Sequence, residues 1–113
     1  MNEHTKGHEL AGFKLDLHGA FMRRTNLSGA NLRNANLEGA DCRGADFSGA
    51  NLRGAKLNGT NLSGANLRGV DFLDAVLTGA DLRGADLTDA KNLTAAQLAQ
   101  ALVDTSLMSK VKP

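Results

Sequence analysis

Several residues in this chain are of types that could do chemistry. His4 and His8 stand four apart, the spacing at which two imidazoles on one helix face can share a metal ion. Cys42 is the single cysteine, so the thiol has no internal disulfide partner and belongs to no metal-site spacing. Asp46 lies beside Ser48, an acid next to a hydroxyl. Arg23, Arg43, Arg83, Arg33 and Arg53 could grip an acidic partner.

Each reading depends on the element that carries the residues. Gly7 lies between the two histidines, no third ligand is evident, and Met1 to Glu9 is polar throughout; a disordered tail is expected there. Composition narrows the rest. The chain has 113 residues, enough for one domain, with 13 glycines, four phenylalanines and neither tryptophan nor tyrosine. A core with so few aromatic rings must be assembled from many small apolar pieces. The formal charge of +1 gives the whole chain no strong field to recruit nucleic acid or an anionic membrane. No secretory signal and no stretch of membrane-spanning length is visible, so cytoplasmic residence is expected.

From Leu15 to Asp89 the sequence divides into fifteen consecutive pentads without an insertion. The third position is always apolar: eleven leucines, then Met22, Cys42, Phe47 and Phe72. The first is alanine eleven times, with Leu15, Thr25, Thr60 and Val70 as the exceptions. The second is Asn or Asp in twelve pentads, and the fifth is glycine in eleven. A period of five suits neither regular structure. On a helix it turns the chain by about 500° and scatters the leucines. On a straight strand it sends alternate leucines to opposite faces. Positions one and three are spaced by two, however, so both point inward if the chain turns a corner once per pentad. Glycine at position five supplies the backbone angles for that corner. No coil can bury its leucines alone, so coils must stack.

Runs such as Ala30-Asn31-Leu32, Ala40-Asp41-Cys42, Ala45-Asp46-Phe47 and Ala80-Asp81-Leu82-Arg83-Gly84 resemble the pentapeptide-repeat proteins. The resemblance implies an all-β fold, a right-handed quadrilateral β-helix with four pentads per coil. Residues twenty apart then stack, and fifteen pentads make about four coils. The inner columns become Leu17–Leu37–Leu57–Leu77, Met22–Cys42–Leu62–Leu82, Leu27–Phe47–Leu67–Leu87 and Leu32–Leu52–Phe72, which makes Cys42 a small core residue. Arg23, Arg43, Ser63 and Arg83 form one outward column and Arg33, Arg53 and Leu73 another. Between Leu15 and Asp89, eight basic residues meet nine acidic ones, a near-cancellation that favours a charge-balanced solvated surface over an anion-binding stripe. Phe21, Val76 and Leu73 break the outward polar rule; the C-terminal segment is expected to cover Leu73, which lies under Leu93 in register, and Val76. Phe13 is expected to cover Phe21.

The repeat fails after Ala90. Thr94-Ala95-Ala96-Gln97 fits a capping box, opening a short helix to about Val103 with Leu98 and Leu102 on one face. The organisation expected is a tail and first-coil start over 1–14, the β-helix over 15–90, a helical cap over 91–108 and a frayed tail over 109–113. A homodimer through the capped end is plausible from the resemblance.

A filled rod has no pocket for convergent acids and bases, and its glycines recur at turn spacing without preceding a helix, so neither an enzyme nor a phosphate loop is expected. Asp46 and Ser48 are then a repeat feature. No cofactor, direct nucleic-acid contact or membrane contact follows. The expected function is a non-catalytic scaffold for an unidentified protein partner. The resemblance also brings an alternative, DNA mimicry against a type II topoisomerase. That mechanism needs a strongly negative surface, which the arginines offset, and a longer rod than about four coils at roughly 4.8 Å each.

Overall fold

The computed structural model describes residues 14–105 and 107. His4, His8, Leu10, Phe13 and the 109–113 tail lie outside the described residues, so the metal and Phe13 expectations fall there too.

The backbone repeats every twenty residues. Position-two residues of successive coils form parallel bridges at that constant offset, from Asp16–Asn36 through to Asp71–Lys91. Each pentad contributes the same ladder. Leu17 N–H donates to the Asn36 carbonyl at 2.7 Å, Asn36 N–H donates to Leu15 at 2.8 Å, and Gly19 N–H donates to Glu38 at 2.8 Å. A fourth bond closes the corner, Ala20 N–H to the Leu17 carbonyl at 3.0 Å. Four such corners per coil define four sides. We number them by their first-coil pentads: side 1 starts at Leu15, side 2 at Ala20, side 3 at Thr25 and side 4 at Ala30.

The corner is a left-handed one. Position five has positive φ in all fifteen pentads, including the four without glycine: Arg24 (55°), Asn34 (61°), Asp74 (61°) and Asp89 (60°). With position four on the negative side, this is the backbone of a type II turn. Asn and Asp tolerate such angles; arginine does so at a cost.

All twelve position-two Asn or Asp side chains accept the N–H two residues on, as Asn51 does from Arg53 at 3.1 Å and Asp86 from Thr88 at 3.0 Å. That N–H lies in the corner, where the ladder leaves it unused. The side chain satisfies it as an Asx turn. Phe21, Lys56 and Val76 occupy position two without this device.

Inside, leucines and phenylalanines stack with alanines between them. Leu37, Leu57, Cys42, Leu62, Phe47, Leu67, Leu52 and Phe72 are fully buried, while Leu17, Met22 and Leu27 of the first coil are half-buried. Thr60 replaces an alanine and is equally buried; its Oγ1 donates to the Leu37 carbonyl at 2.6 Å, which satisfies its one obligatory polar group. Burial, and secondarily the Asp41 charge, pushes the Cys42 thiol up to about 12.

The C-terminal end departs from the simple register. Lys91 still pairs with Asp71, but Asn92 takes φ 58° two positions before the next corner is due. The early turn sends Leu93 into the core, so it does not lie over half-buried Leu73. Thr94 and Gln97 form the expected reciprocal capping box on α1, Ala95–Ala99. The helix is shorter than expected. After Gln100 the chain returns to the ladder, with Leu82 N–H donating to Leu102 and Leu102 N–H donating to Ala80, both at 2.8 Å. Leu102 therefore points outward and is 51% exposed, whereas Leu98 is buried. Val76 remains partly exposed.

Candidate interaction surface

The arginines expected to meet a partner lie on two sides. Side 2 carries Arg23, Arg43 and Arg83 at position four, and side 4 carries Arg33 and Arg53. On a straight rod with twenty-residue coils, these residues stack along the rod axis. Four of the five are already engaged with carboxylates.

Arg43 holds Asp41 through two bonds, Nε to Oδ1 at 2.9 Å and NH2 to Oδ2 at 2.8 Å. Arg23, one coil earlier, reaches the same carboxylate with Nε at 2.9 Å, because its own position-two residue is Phe21 and offers nothing. Arg83 holds Asp81 in the same two-pronged way at 3.0 and 2.9 Å. Arg53 approaches Asp71 at 3.5 Å. Arg33 makes no ion pair with a described residue. The carboxylates lie beneath the guanidiniums: the Asp41 side chain is 18% exposed and Arg23 61%. Pairs this exposed add little to stability. They orient the guanidiniums and leave their outer edges to solvent.

The acids show the same local logic. The Arg83 guanidinium, then the corner N–H, holds Asp81 below the usual carboxylate range despite some desolvation. Asp86 is lowered to about 2, first by the Thr88 hydroxyl and N–H and then by Arg68. Ser48 does the same for Asp46 in direction, donating Oγ–H at 2.7 Å and N–H at 2.9 Å. Asn26 and Ser28 repeat that geometry with an amide that cannot act as a base. Asp46–Ser48 is therefore a turn device.

Among the described residues, no group of three or more His, Cys, Asp or Glu could hold a metal ion. No helix among them is long and apolar enough to cross a membrane. Three concavities among the described residues are open surface depressions. One of them, about 380 Å³, is lined by Arg23, Arg24, Arg43, Gly44, Ser63 and Gly64 at the corner between sides 2 and 3. Arg24 belongs to this surface, although the pentad pattern assigns it to a turn. The available signal was its type, the one side chain at position five that is neither glycine, asparagine nor aspartate.

A stack of four-sided coils with a solid apolar interior and function left to outward side chains defines a repeat solenoid. The family model for pentapeptide repeats matches residues 25–64 and 55–91 in eight copies, and the chain belongs to the pentapeptide-repeat family, whose members form right-handed quadrilateral β-helices. Among solved structures, it is similar to the pentapeptide repeat protein Rfr23 of the cyanobacterium Cyanothece 51142, at 30% identity and TM-score 0.63 over 79% of this chain. The chain spans 60% of that protein's length. A pentapeptide repeat protein from Nostoc PCC 7120 is 34% identical over 74% of this chain and 84% of its own, with TM-score 0.42. One from the Arabidopsis thaliana thylakoid lumen is 32% identical over 69% of this chain and 58% of its own, with TM-score 0.38. No curated protein matches the sequence.

Proposed function

We propose that the protein is a non-catalytic scaffold whose working surface is the arginine-bearing pair of sides, Arg23, Arg43 and Arg83 on side 2 and Arg33 and Arg53 on side 4, and that its partner is another protein. The observation that carries this is the arrangement of guanidiniums over recessed carboxylates. Asp41 and Asp81 pre-orient the arginines, so less side-chain freedom is lost when a partner's acid arrives. The filled interior argues in the same direction, since it leaves chemistry to the surface alone.

The rod of about four coils over 15–90, the helical cap over 91–108 and cytoplasmic residence belong to the same reading. DNA mimicry against a type II topoisomerase draws no support from a surface whose arginines offset its acids. A homodimer through the capped end belongs to the same reading, with the ladder there already occupied on side 1 by Gln100 and on side 2 by Leu102.

The test uses the immobilised protein to recover binders from a lysate of the source organism, beside an Arg43→Ala/Arg83→Ala variant of unchanged circular dichroism. A protein retained by the parent and lost by the variant is expected. Equal recovery by both would place the working surface elsewhere, and selective recovery of a topoisomerase would restore DNA mimicry.

A further inference from the structure

Arg24 is the point where the pattern bends furthest from its own rule. It takes φ 55°, a backbone conformation that disfavours side chains other than Asn and Asp, at a position where eleven of fifteen pentads use glycine. Such an outlier points to a role that the side chain itself supplies. The side chain is not merely splayed into solvent: a Cβ added at Gly44, one coil on, would lie 3.4 Å from Arg24 Cγ. The stem therefore runs along the rod over Gly44, and Arg24 lines the 380 Å³ depression together with Arg23, Arg43 and Ser63.

Three positive groups line this corner, and Asp41 is the carboxylate already held between two of them. That internal pair shows that the coil spacing lets guanidiniums on adjacent coils grip a single carboxylate from both sides. Beside them Phe21 presents its ring at 91% exposure, on the same side 2 and in the same first coil. The corner thus joins an apolar contact to an excess of cationic donors.

We propose that this corner, Phe21 with Arg23, Arg24 and Arg43, docks a short acidic peptide segment of a partner protein, with carboxylates on the guanidiniums and an apolar side chain on Phe21. The inference rests on reading the arginine sides as the partner surface and names the chemistry of that partner. Charge decides for a short peptide over a nucleic-acid strand. A strand needs a cationic track along its phosphates. Here the same corner runs through Gly64 to Gly84 and ends at the Asp104 carboxylate, while Asp46 borders it on side 3. A long polyanion meets acids in either direction; a few residues fit between them.

The probe is a fluorescently labelled short Glu/Asp peptide with a central leucine, titrated by anisotropy at low salt against the full chain. Arg24→Gly is the primary variant, because glycine suits φ 55° and the fold should melt no lower than the parent. About tenfold weaker binding is expected from it, the loss of one charge-assisted contact. Phe21→Ala should weaken the leucine peptide and leave an all-acid peptide unchanged. Lys56→Gln, which removes an exposed charge on side 1 outside the arginine surface, should bind as the parent does. Failure of the peptide to bind, or equal binding by Arg24→Gly, overturns the corner. Binding lost with Arg83→Gln and kept by Arg24→Gly also overturns it, yet leaves the arginine sides as the partner surface. Tighter binding of a single-stranded oligonucleotide than of the peptide overturns the peptide assignment.

Discussion

Gly84 N–H donates to Asp104 Oδ2 at 2.8 Å, the place where the coils below put a main-chain carbonyl. Gly44 donates to the Ser63 carbonyl and Gly64 to the Arg83 carbonyl, each at 3.0 Å. At the end of side 2 a side chain takes over from the missing coil. Gln97 serves sides 4 and 1: its Nε2 donates to the Phe72 and Ala75 carbonyls at 2.9 and 3.0 Å, while its Oε1 accepts the Thr94 N–H. Terminal groups of a β-helix invite edge-to-edge association when left unpaired. Asp104 and Gln97 occupy three of them, the Gly84 N–H and the Phe72 and Ala75 carbonyls.

Removing either should therefore loosen the end of the rod before its middle. Asp104→Ala should cost about 1 kcal/mol, the worth of one hydrogen bond, and Asp104→Asn less because it keeps an acceptor. Gln97→Ala should cost more, roughly 1–3 kcal/mol, because it leaves the Ala75 carbonyl without this donor, removes a second bond to the Phe72 carbonyl and breaks the capping box. Urea melts give the stability, and hydrogen exchange at Gly79, Leu82 and Gly84 should rise first.

The position-two amides and acids make a prediction that runs in both directions. Asn51→Ala should destabilise by about 1 kcal/mol by leaving the Arg53 N–H without its acceptor. Lys56→Asn should stabilise by a few tenths to about 1 kcal/mol, since it supplies the missing acceptor to the next corner. If thermal melts show Lys56→Asn unchanged or weaker, the Asx turn is incidental to stability.

Acid should unfold the protein in a defined window. Asp46, Asp71 and Asp81 are lowered from 3.8 and Asp86 is lowered to about 2, mainly by hydrogen bonds from Ser48, Asn92, Arg83 and Thr88 respectively. A depressed folded-state pKa contributes stability that is present above the unfolded value near 3.8 and lost as pH falls toward the folded one. The melting temperature should fall between pH 4 and about 2, and Asp86→Asn should flatten part of that fall. His18 acts in the opposite sense. Its hydrogen bond to Asp16 raises it above 6.5, so its small contribution is present below that value and fades as pH rises past the folded one.

Cys42 is fully buried and its thiol is pushed up to about 12, so the native protein holds almost no thiolate at neutral pH. A thiol reagent should leave the folded chain unmodified and label it at the rate of unfolding. Rapid labelling under native conditions would mean that the second-coil core opens locally.

The repeat was legible because its signals are local. The pairing of positions one and three, the turn at position five and the Thr94–Gln97 cap each depend on neighbours within one pentad or one helical turn. The Asx role of position two is equally local, an acceptor two residues before a free corner N–H. It is masked in the sequence because Asn and Asp at an outward position also suit any solvated surface. Leu102 shows the limit at the cap: its spacing from Leu98 suits a helix face, but pairing with Ala80 and Leu82 turns it outward.

By itself the sequence determined that the chain turns once per pentad with leucine and alanine inward, because a five-residue period of apolar side chains has no other way to reach one interior. Only the tertiary structure decided which outward groups meet. Arg23 finds Asp41, Arg24 lies over Gly44, and Asp104 takes the Gly84 N–H because coil stacking brings together residues about twenty apart. The early turn at Asn92 was likewise decided there, where the end of the stack draws Leu93 inward to close the core. Those contacts are set by the spacing between coils and by the closing of the core. No pattern within a single pentad encodes either.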